Sequence, residues 1–298
     1  MRKVIPLLLL LFALVTAYYI LTYDSGEFTE SVTTSEGTVA PEASGRTEVR
    51  IITWNLLNLG RSKDDQEMGI IANIISKGQG DVVALQEVIA SEAGPDAVMR
   101  LDEDLDYTGT PWDYIVSEPT SGQGSERYAY LWKPSRVRLV GQPWLEASLA
   151  DPLDREPFLA RFEDVRTGQQ VLLASFHAVP TAKRPADENV LLDQLHRRYP
   201  DDHLLVMGDF NLGQDHEAFD GLKAAGYRPV LVDQRTSLRM RRRDGQHLAN
   251  EYDNIFYEAA PLRAAQSGVI DFTSDFSTLK QARTISDHLP VYMDVLWN

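Results

Sequence analysis

The sequence predicts a mixed α and β fold of two packed sheets with helices on the outside. Three observations carry this. The chain has 298 residues, 43% of them hydrophobic, enough for one large domain or two small ones. Strand-like apolar runs far outnumber helical ones from Val49 to the C-terminus. No short-period repeat and no low-complexity tract interrupts that stretch.

The first 47 residues read differently. Met1-Arg2-Lys3 precedes VIPLLLLLFALVTAYYIL, and no further charge occurs until Asp24. A basic start and an apolar core are the marks of an export signal, and Val15-Thr16-Ala17 is an acceptable cleavage site. The apolar run continues to Leu21 and so approaches the roughly 18–20 residues that span a bilayer. Residues 1–23 are therefore expected to be a signal peptide or a membrane anchor, the tether in the second case being residues 4–21. Both options place the remainder outside the cytoplasm, secreted or held on the outer face of the membrane, because Arg2 and Lys3 favour the inside. Residues 24–47 are rich in Ser, Thr, Gly and Glu without hydrophobic period and read as a flexible linker. The folded domain is expected over 48–298.

Within it, VRIITW is a strand ending at Asn55. Residues 66–77 carry apolar residues at helical spacing, with Gly78 and Gly80 beyond as a stop. DVVALQEV is a buried strand whose tail turns polar at Gln86 and Glu87. WDYIVSEP, RYAYLWKP, VRLVGQPWL, FLARFED and QQVLLASFHA follow as strands separated by turn residues. ENVLLDQLHRRY is amphipathic and helical, HLLVMGDFN a strand, and HEAFDGLKAAG a helix capped by Gly226. EYDNIFYEA and HLPVYMDVLW complete the strands.

The charge balance, 29 Lys+Arg against 44 Asp+Glu, gives −15 and disfavours nonspecific adhesion to nucleic acid or acidic lipid. A polyanionic substrate remains compatible if a bound cation and a few arginines supply local positive potential. The chain has no cysteine, which excludes disulfides, zinc-thiolate sites and thiol nucleophiles.

Six apolar strands end or begin on a polar group. Asn55, Glu87, His177, the Asp209/Asn211 pair, Asp253 and the Asp287-His288 pair occupy these places. One such residue alone is usually a turn former or a cap. Strand ends along one sheet edge, however, lie near each other in space. Asn, Glu and Asp supply hard oxygen ligands suited to Mg²⁺, Mn²⁺ or Ca²⁺. Two histidines with acidic partners suit proton transfer near neutral pH. In GDFN the strand period sends Asp209 and Asn211 to one side and Phe210 to the other.

These motifs resemble the endonuclease/exonuclease/phosphatase superfamily, and within it most closely the deoxyribonuclease I branch. The matching stretches are TWNLLNLG, ALQEV, SERYAYLWKP, REPF, SFHAVP, MGDFN, EYDNI and ISDHLPV, in the family's order and at its spacing; the SEP at Ser117–Pro119 is also shared. The resemblance implies an α/β (α+β) fold, a four-layer αββα sandwich of two packed, mostly antiparallel sheets flanked by helices. It implies a divalent-metal-dependent phosphodiesterase, most similar to a DNA endonuclease that leaves 5′-phosphate and 3′-hydroxyl ends.

By the same resemblance Glu87 is the main ligand for Mg²⁺ (or Mn²⁺), with Asn55 and Asp287 near the cation or its waters. His177 with Glu126, and His288 with Asp253, form two His–acid dyads, one to activate water and the other to protonate the leaving oxygen. Asp209 orients the nucleophile, while Asn211 and Arg155 hold phosphate oxygens. Asp151 and Glu156 resemble part of a structural Ca²⁺ site. The expected partner is a nucleic acid substrate, DNA first, and the expected state is monomeric.

The chain departs from that branch where the substrate is gripped. Ile89 stands where the branch carries an arginine, and a tyrosine ahead of SERY has no counterpart. Arg235 and the run Arg239-Met240-Arg241-Arg242-Arg243 offer either a substitute grip on phosphates or a solvated loop that meets the acidic surface. An alternative reading is a phosphatase or phosphodiesterase of lipid or inositol phosphate head groups, which the same fold supports. EYDNI lacks the Trp-Cys-Asp-Arg signature of inositol polyphosphate phosphatases.

Overall fold

Fourteen strands organise the described residues, 46–298, of the computed structural model. In chain order they are β1 (Val49–Leu59), β2 (Val82–Ile89), β3 (Asp113–Val116), β4 (Glu126–Trp132), β5 (Val137–Leu145), β6 (Phe158–Asp164) and β7 (Gln170–His177). They continue as β8 (Leu204–Asp209), β9 (Tyr227–Pro229), β10 (Leu238–Arg243), β11 (Gln246–Leu248), β12 (Asp253–Glu258), β13 (Leu262–Val269) and β14 (Val291–Trp297). The expected signal or anchor (1–23), and the expected linker up to residue 45, lie outside the described residues. Among the described residues no helix is long and apolar enough to cross a membrane.

The strands form two six-stranded sheets, β13-β14-β1-β2-β4-β3 and β5-β6-β7-β8-β12-β9, and a separate β10-β11 hairpin. Each large sheet has one parallel pair, β1 with β2 and β7 with β8, and antiparallel neighbours elsewhere. The sheets pack face to face through Ile51, Ala84, Tyr130, Phe162, Leu173 and Met207, among others. The outer face of the first sheet, with Ile52, Trp54 and Leu85, is covered by the helices Asp65–Lys77, Ala93–Asp106 and Leu279–Ile285. The outer face of the second, with Leu172, Ala174 and Val206, is covered by Leu192, Leu195, Phe219 and Leu222 from the segments around 186–198 and 217–224. This is the expected αββα sandwich. Its central strands are buried on both faces, so they read as unbroken apolar runs rather than alternating ones.

The topology gathers the polar strand ends at one edge. The parallel pairs bring the ends of β1 and β2, and of β7 and β8, to the same side. The antiparallel neighbours begin there: Glu126 of β4 lies opposite Ile89, and Asp253 of β12 opposite Asp209. The loop before β14 delivers Asp287 and His288 to that edge, since Val291 pairs with Thr53 of β1.

Several elements differ from the sequence expectation. The helix Ala93–Asp106 was not anticipated, although Ala97, Val98, Leu101 and Leu105 make its buried stripe. The helix expected over 188–199 is broken into Ala186–Asn189, a 3₁₀ turn Val190–Leu192 and Asp193–Arg198. At the break the buried Asn189 side chain donates to the Pro185 and Phe210 carbonyls, each at 2.9 Å, tying the turn to the end of β8. The segment after His216 starts as a 3₁₀ turn, Glu217–Phe219, before the short helix Asp220–Ala224. The strands β9, β10, β11 and β13 and the helix Leu279–Ile285 were also unexpected.

Candidate active site

The second sheet presents His177, Asp209 and Asp253 abreast, because Asp209 is in register with both of the others. This row depends on Gly208, whose φ is +140°. A Cβ there would lie 1.9 Å from the Phe176 carbonyl oxygen, so only glycine lets β7 and β8 close up at this point. Phe210 turns away from the cleft and packs against Phe219 and Phe256, with ring centroids 5.5 and 5.3 Å apart. Asn211 at φ +49° then brings its side chain back to the cleft wall.

The first sheet supplies Asn55, Glu87 and Glu126. Its register shifts between Asn55 and Leu59 on β1 and between Leu85 and Val88 on β2. Leu57, Asn58 and Glu87 have φ of +48°, +57° and +58° there. Such left-handed residues outside glycine cost energy and persist where the surroundings fix them. Here the irregularity redirects Glu87 into the cleft.

Both dyads form. His177 Nδ1 lies 3.0 Å from each oxygen of Glu126, and His288 Nδ1 lies 2.8 Å from Asp253 Oδ2. A carboxylate on Nδ1 makes that nitrogen the donor and turns Nε2 to the cleft. The two Nε2 atoms converge on one oxygen, Asp209 Oδ2, at 3.5 and 3.6 Å. Burial, the largest influence on each imidazole, works against the charged form. It is outweighed by Glu126 and Asp209 around His177, and by Asp253 and Asp209 around His288. Both histidines are thus raised above the ordinary value, His288 well above it. Burial likewise pushes the Asp209 carboxyl up, but His288, His177, the Asn211 N–H and the Asn55 amide hold it below the usual range.

Asn55 links the two sheets. Its amide nitrogen donates to Glu87 Oε1 at 2.9 Å and to Asp209 Oδ2 at 3.0 Å, while its Oδ1 accepts from the Leu57 N–H. Asn55 therefore fixes two carboxylates and offers a cation only the remaining lone pair of Oδ1. Arg155 is buried, and it donates to the His177 and Ala178 carbonyls at 2.9 and 2.6 Å. Its Nη1, 3.6 Å from Glu126 Oε2, lines the cleft. The guanidinium so holds the dyad as well as facing the cavity. Asn211 Nδ2 donates to the Ala178 carbonyl at 3.1 Å. Asp287 pairs with Arg283 at 3.1 Å and lies 4.0 Å from His288 Nε2.

His177, His288, Arg155 and Asn211 line a cavity of about 480 Å³, with Asn55 and Asp253 buried behind it. Glu87, Glu126, Asp209 and Asp287 all border it, and Arg155 is the only lysine or arginine among its lining residues. The hydrogen bonds to the Glu87 side chain come from neutral donors, the Asn55 amide and the Asn58 N–H. Crowded hard oxygens with so little positive charge fit a divalent cation. Glu87, Asp287 and the free side of Asn55 would hold it. Asp209, Asp253 and His288 also place one ligand atom each within 4.8 Å of one another. That group is occupied internally, since Asp253 Oδ2 already accepts from His288 and from Thr236 Oγ1 at 2.6 Å.

Among the described residues Asp151 and Glu156 belong to no group of three His or carboxylate side chains close enough to share a cation. Glu156 is buried and accepts from the N–H and hydroxyl of Ser121, whereas Asp151 is exposed.

Sequence reasoning missed the residues that brace the site. Lys63 is buried, and its Nζ donates to the Thr284 and Ile285 carbonyls at 2.6 and 2.7 Å, closing the end of the Leu279–Ile285 helix. Ser286 then donates to the Asn55 carbonyl at 2.6 Å and accepts from the His288 N–H at 2.9 Å. Tyr128, fully buried, accepts from the His177 N–H at 3.1 Å through its hydroxyl. Ser286, adjoining Asp287 and His288, and Tyr128, two residues after Glu126, carried a signal by position; Lys63 carried none.

Comparison with known proteins gives a consistent picture. Residues 52–288 match the model of the Endonuclease/Exonuclease/phosphatase family. The chain is 30% identical over 270 residues to a deoxyribonuclease of Thioalkalivibrio sp. (strain K90mix), a match covering 83% of this chain and 70% of that protein. A mannosyl-6-phosphatase of Bacteroides thetaiotaomicron aligns with TM-score 0.61 at 17% identity, covering 83% of this chain and 99% of that one. D. rerio TDP2 complexed with single strand DNA product aligns with TM-score 0.59 at 17% identity, covering 84% and 100%.

Proposed function

The chain belongs to the Endonuclease/Exonuclease/phosphatase family, and from that premise we propose that it is an extracytoplasmic, Mg²⁺-dependent DNA endonuclease. The observation that carries the chemistry is the convergence of two dyad imidazoles on Asp209 Oδ2, at 3.5 and 3.6 Å. A phosphate seated in that cleft meets two imidazoles, one to accept a proton and one to donate. One imidazole, oriented by its carboxylate, removes a proton from the attacking water. The other gives its proton to the leaving O3′, producing 5′-phosphate and 3′-hydroxyl ends. Asp209, held ionised between them, accepts a hydrogen bond from the water and orients it. Asn211 and the cleft-facing Nη1 of Arg155 donate to the phosphate oxygens. A divalent cation held by Glu87, Asp287 and Asn55 supplies charge neutralisation at the scissile phosphate.

Two considerations favour a diester over a monoester. The relative with 30% identity is named a deoxyribonuclease. The cavity lining also offers a single guanidinium, itself bonded to protein carbonyls, which suits a singly charged diester better than a dianionic monoester. The extracytoplasmic location rests on the basic, then apolar, composition of residues 1–23.

The test is supercoiled plasmid with Mg²⁺ and with EDTA, using the wild-type chain and His177→Ala and His288→Ala. Cleavage that needs both the cation and both histidines supports the reading. Intact plasmid together with phosphate release from lipid or inositol phosphates would replace it with the head-group alternative.

A further inference from the structure

The β10-β11 hairpin carries the basic run, and its root is built into the catalytic edge. Ser237 forms a β-bridge with His288, the Leu238 N–H donates to the Asp287 carbonyl at 2.6 Å, and the Leu289 N–H to the Thr236 carbonyl at 2.8 Å. Thr236 also bonds Asp253, and Arg283 joins the Leu238 carbonyl to the Asp287 carboxylate. Leu238 is buried in the core, whereas Met240 is 76% exposed and Arg241, Arg242 and Arg243 are all exposed. The acidic surface of the protein does not neutralise these arginines. Among the described residues the side chains of Arg241 and Arg242 have no hydrogen bond or ion pair, and that of Arg243 has only its exposed neighbour Asp244 at 3.9 Å.

From this placement we propose that the hairpin is a substrate arm, its arginines binding backbone phosphates of DNA several nucleotides from the bond that is cut. The proposal rests on the nuclease reading of the site. Charge complementarity selects the occupant: in a chain of net charge −15, three adjacent exposed guanidiniums beside the cleft, two of them without an acidic partner, suit a polyanion long enough to reach them. Distance gives the reach. A strand advances about 3.3 Å per residue, so Arg241 and Arg243 lie about 10 and 17 Å along β10 from the residue that bonds Asp287. Phosphates of one strand are about 3.4 Å apart along the duplex axis, so the arm reaches at most about three to five nucleotides from its root at the cleft. The arm therefore supplies grip on the polymer without touching the reacting atoms.

The experiment compares the parent with Arg241→Gln/Arg242→Gln/Arg243→Gln. Affinity for a fluorescein-labelled 20-base-pair duplex is measured by anisotropy with Mg²⁺ across a salt series, both proteins carrying His288→Ala to prevent cleavage. Plasmid cleavage and hydrolysis of bis(p-nitrophenyl) phosphate are measured with His288 intact. The expected result is a loss of duplex affinity of about tenfold or more at 50 mM salt, narrowing as salt rises. The salt slope should become shallower by about 0.9 for each phosphate that the arm no longer neutralises. Plasmid cleavage should fall in parallel, while hydrolysis of the small diester stays at the parent rate. Equal affinities with parallel salt lines would overturn the arm and leave the nuclease reading standing. A parent that neither binds the duplex nor cuts plasmid would overturn both. Unchanged duplex affinity with weakened binding to phosphatidylglycerol vesicles would overturn the arm in favour of a membrane-facing hairpin.

Discussion

At the scale of single residues, the pairing of each imidazole with a buried carboxylate sets its behaviour. His288 has the stronger support, from Asp253 at 2.8 Å and from Asp209. NMR titration of the metal-free protein should find both His177 and His288 above 6.5, with His288 the higher of the two. In Asp253→Asn the His288 value should fall while His177 moves little, and turnover should drop about 100- to 10,000-fold. An unshifted His288 in that variant would remove Asp253 from the dyad. The sequence already showed Asp253 and both histidines as polar strand ends, because a charge beside an apolar run is visible without coordinates, whereas Glu126 came only with the family resemblance. It could not show orientation. Whether Asn55 offers a cation its oxygen or its amide, and whether Arg155 faces substrate or carbonyls, depends on neighbours more than a hundred and about twenty residues away respectively.

At the scale of elements, the edge of the sandwich is held by parts that carry no chemistry. Lys63 caps the Leu279–Ile285 helix and so fixes the turn that presents Asp287 and His288. Lys63→Met keeps most of the unbranched side chain and removes both bonds. It should cost about 1–3 kcal/mol in urea unfolding, and should lower kcat more than it changes KM. Wild-type kcat in that variant would show that the helix end is held by other means. The helix Ala93–Asp106 gives a separate test. Burial, with Asp106 and Asp113 nearby, raises the Asp102 carboxyl to about 6. The folded state thus holds the proton more tightly than the unfolded one, and Asp102 costs increasing stability as pH rises from about 4 to about 6. The stability of Asp102→Asn relative to wild type should therefore grow over that window and stay level above it. A pH-independent difference would contradict this. The sequence missed this helix because a Gly-Pro start and alternating acids obscure its stripe, whereas the doubly buried strands were plain from their apolar runs.

At the scale of the whole molecule, the sandwich gathers residues from Asn55 to His288 at one edge and concentrates negative charge there. Without a cation, Glu87 faces Asp209 and Asp287 across the same cavity. Mg²⁺ should raise the melting temperature, by the equivalent of about 2.7 kcal/mol at a hundred times its Kd. Glu87→Gln should melt higher than wild type in EDTA and lose the response to Mg²⁺. A full response in that variant would move the cation to other ligands. The sandwich and its polar edge were legible because each strand and its polar end are local patterns. The hairpin's place was not, since it depends on backbone bonds between residues about fifty positions apart. The most direct test of the two-dyad mechanism is the chemistry of the ends produced from a supercoiled plasmid with Mg²⁺. That mechanism predicts nicked circles that DNA ligase reseals, marking 5′-phosphate and 3′-hydroxyl ends, with none formed in EDTA or by His288→Ala. Nicks that ligase cannot reseal, or an undamaged plasmid beside rapid phosphate release from monoesters, would contradict it.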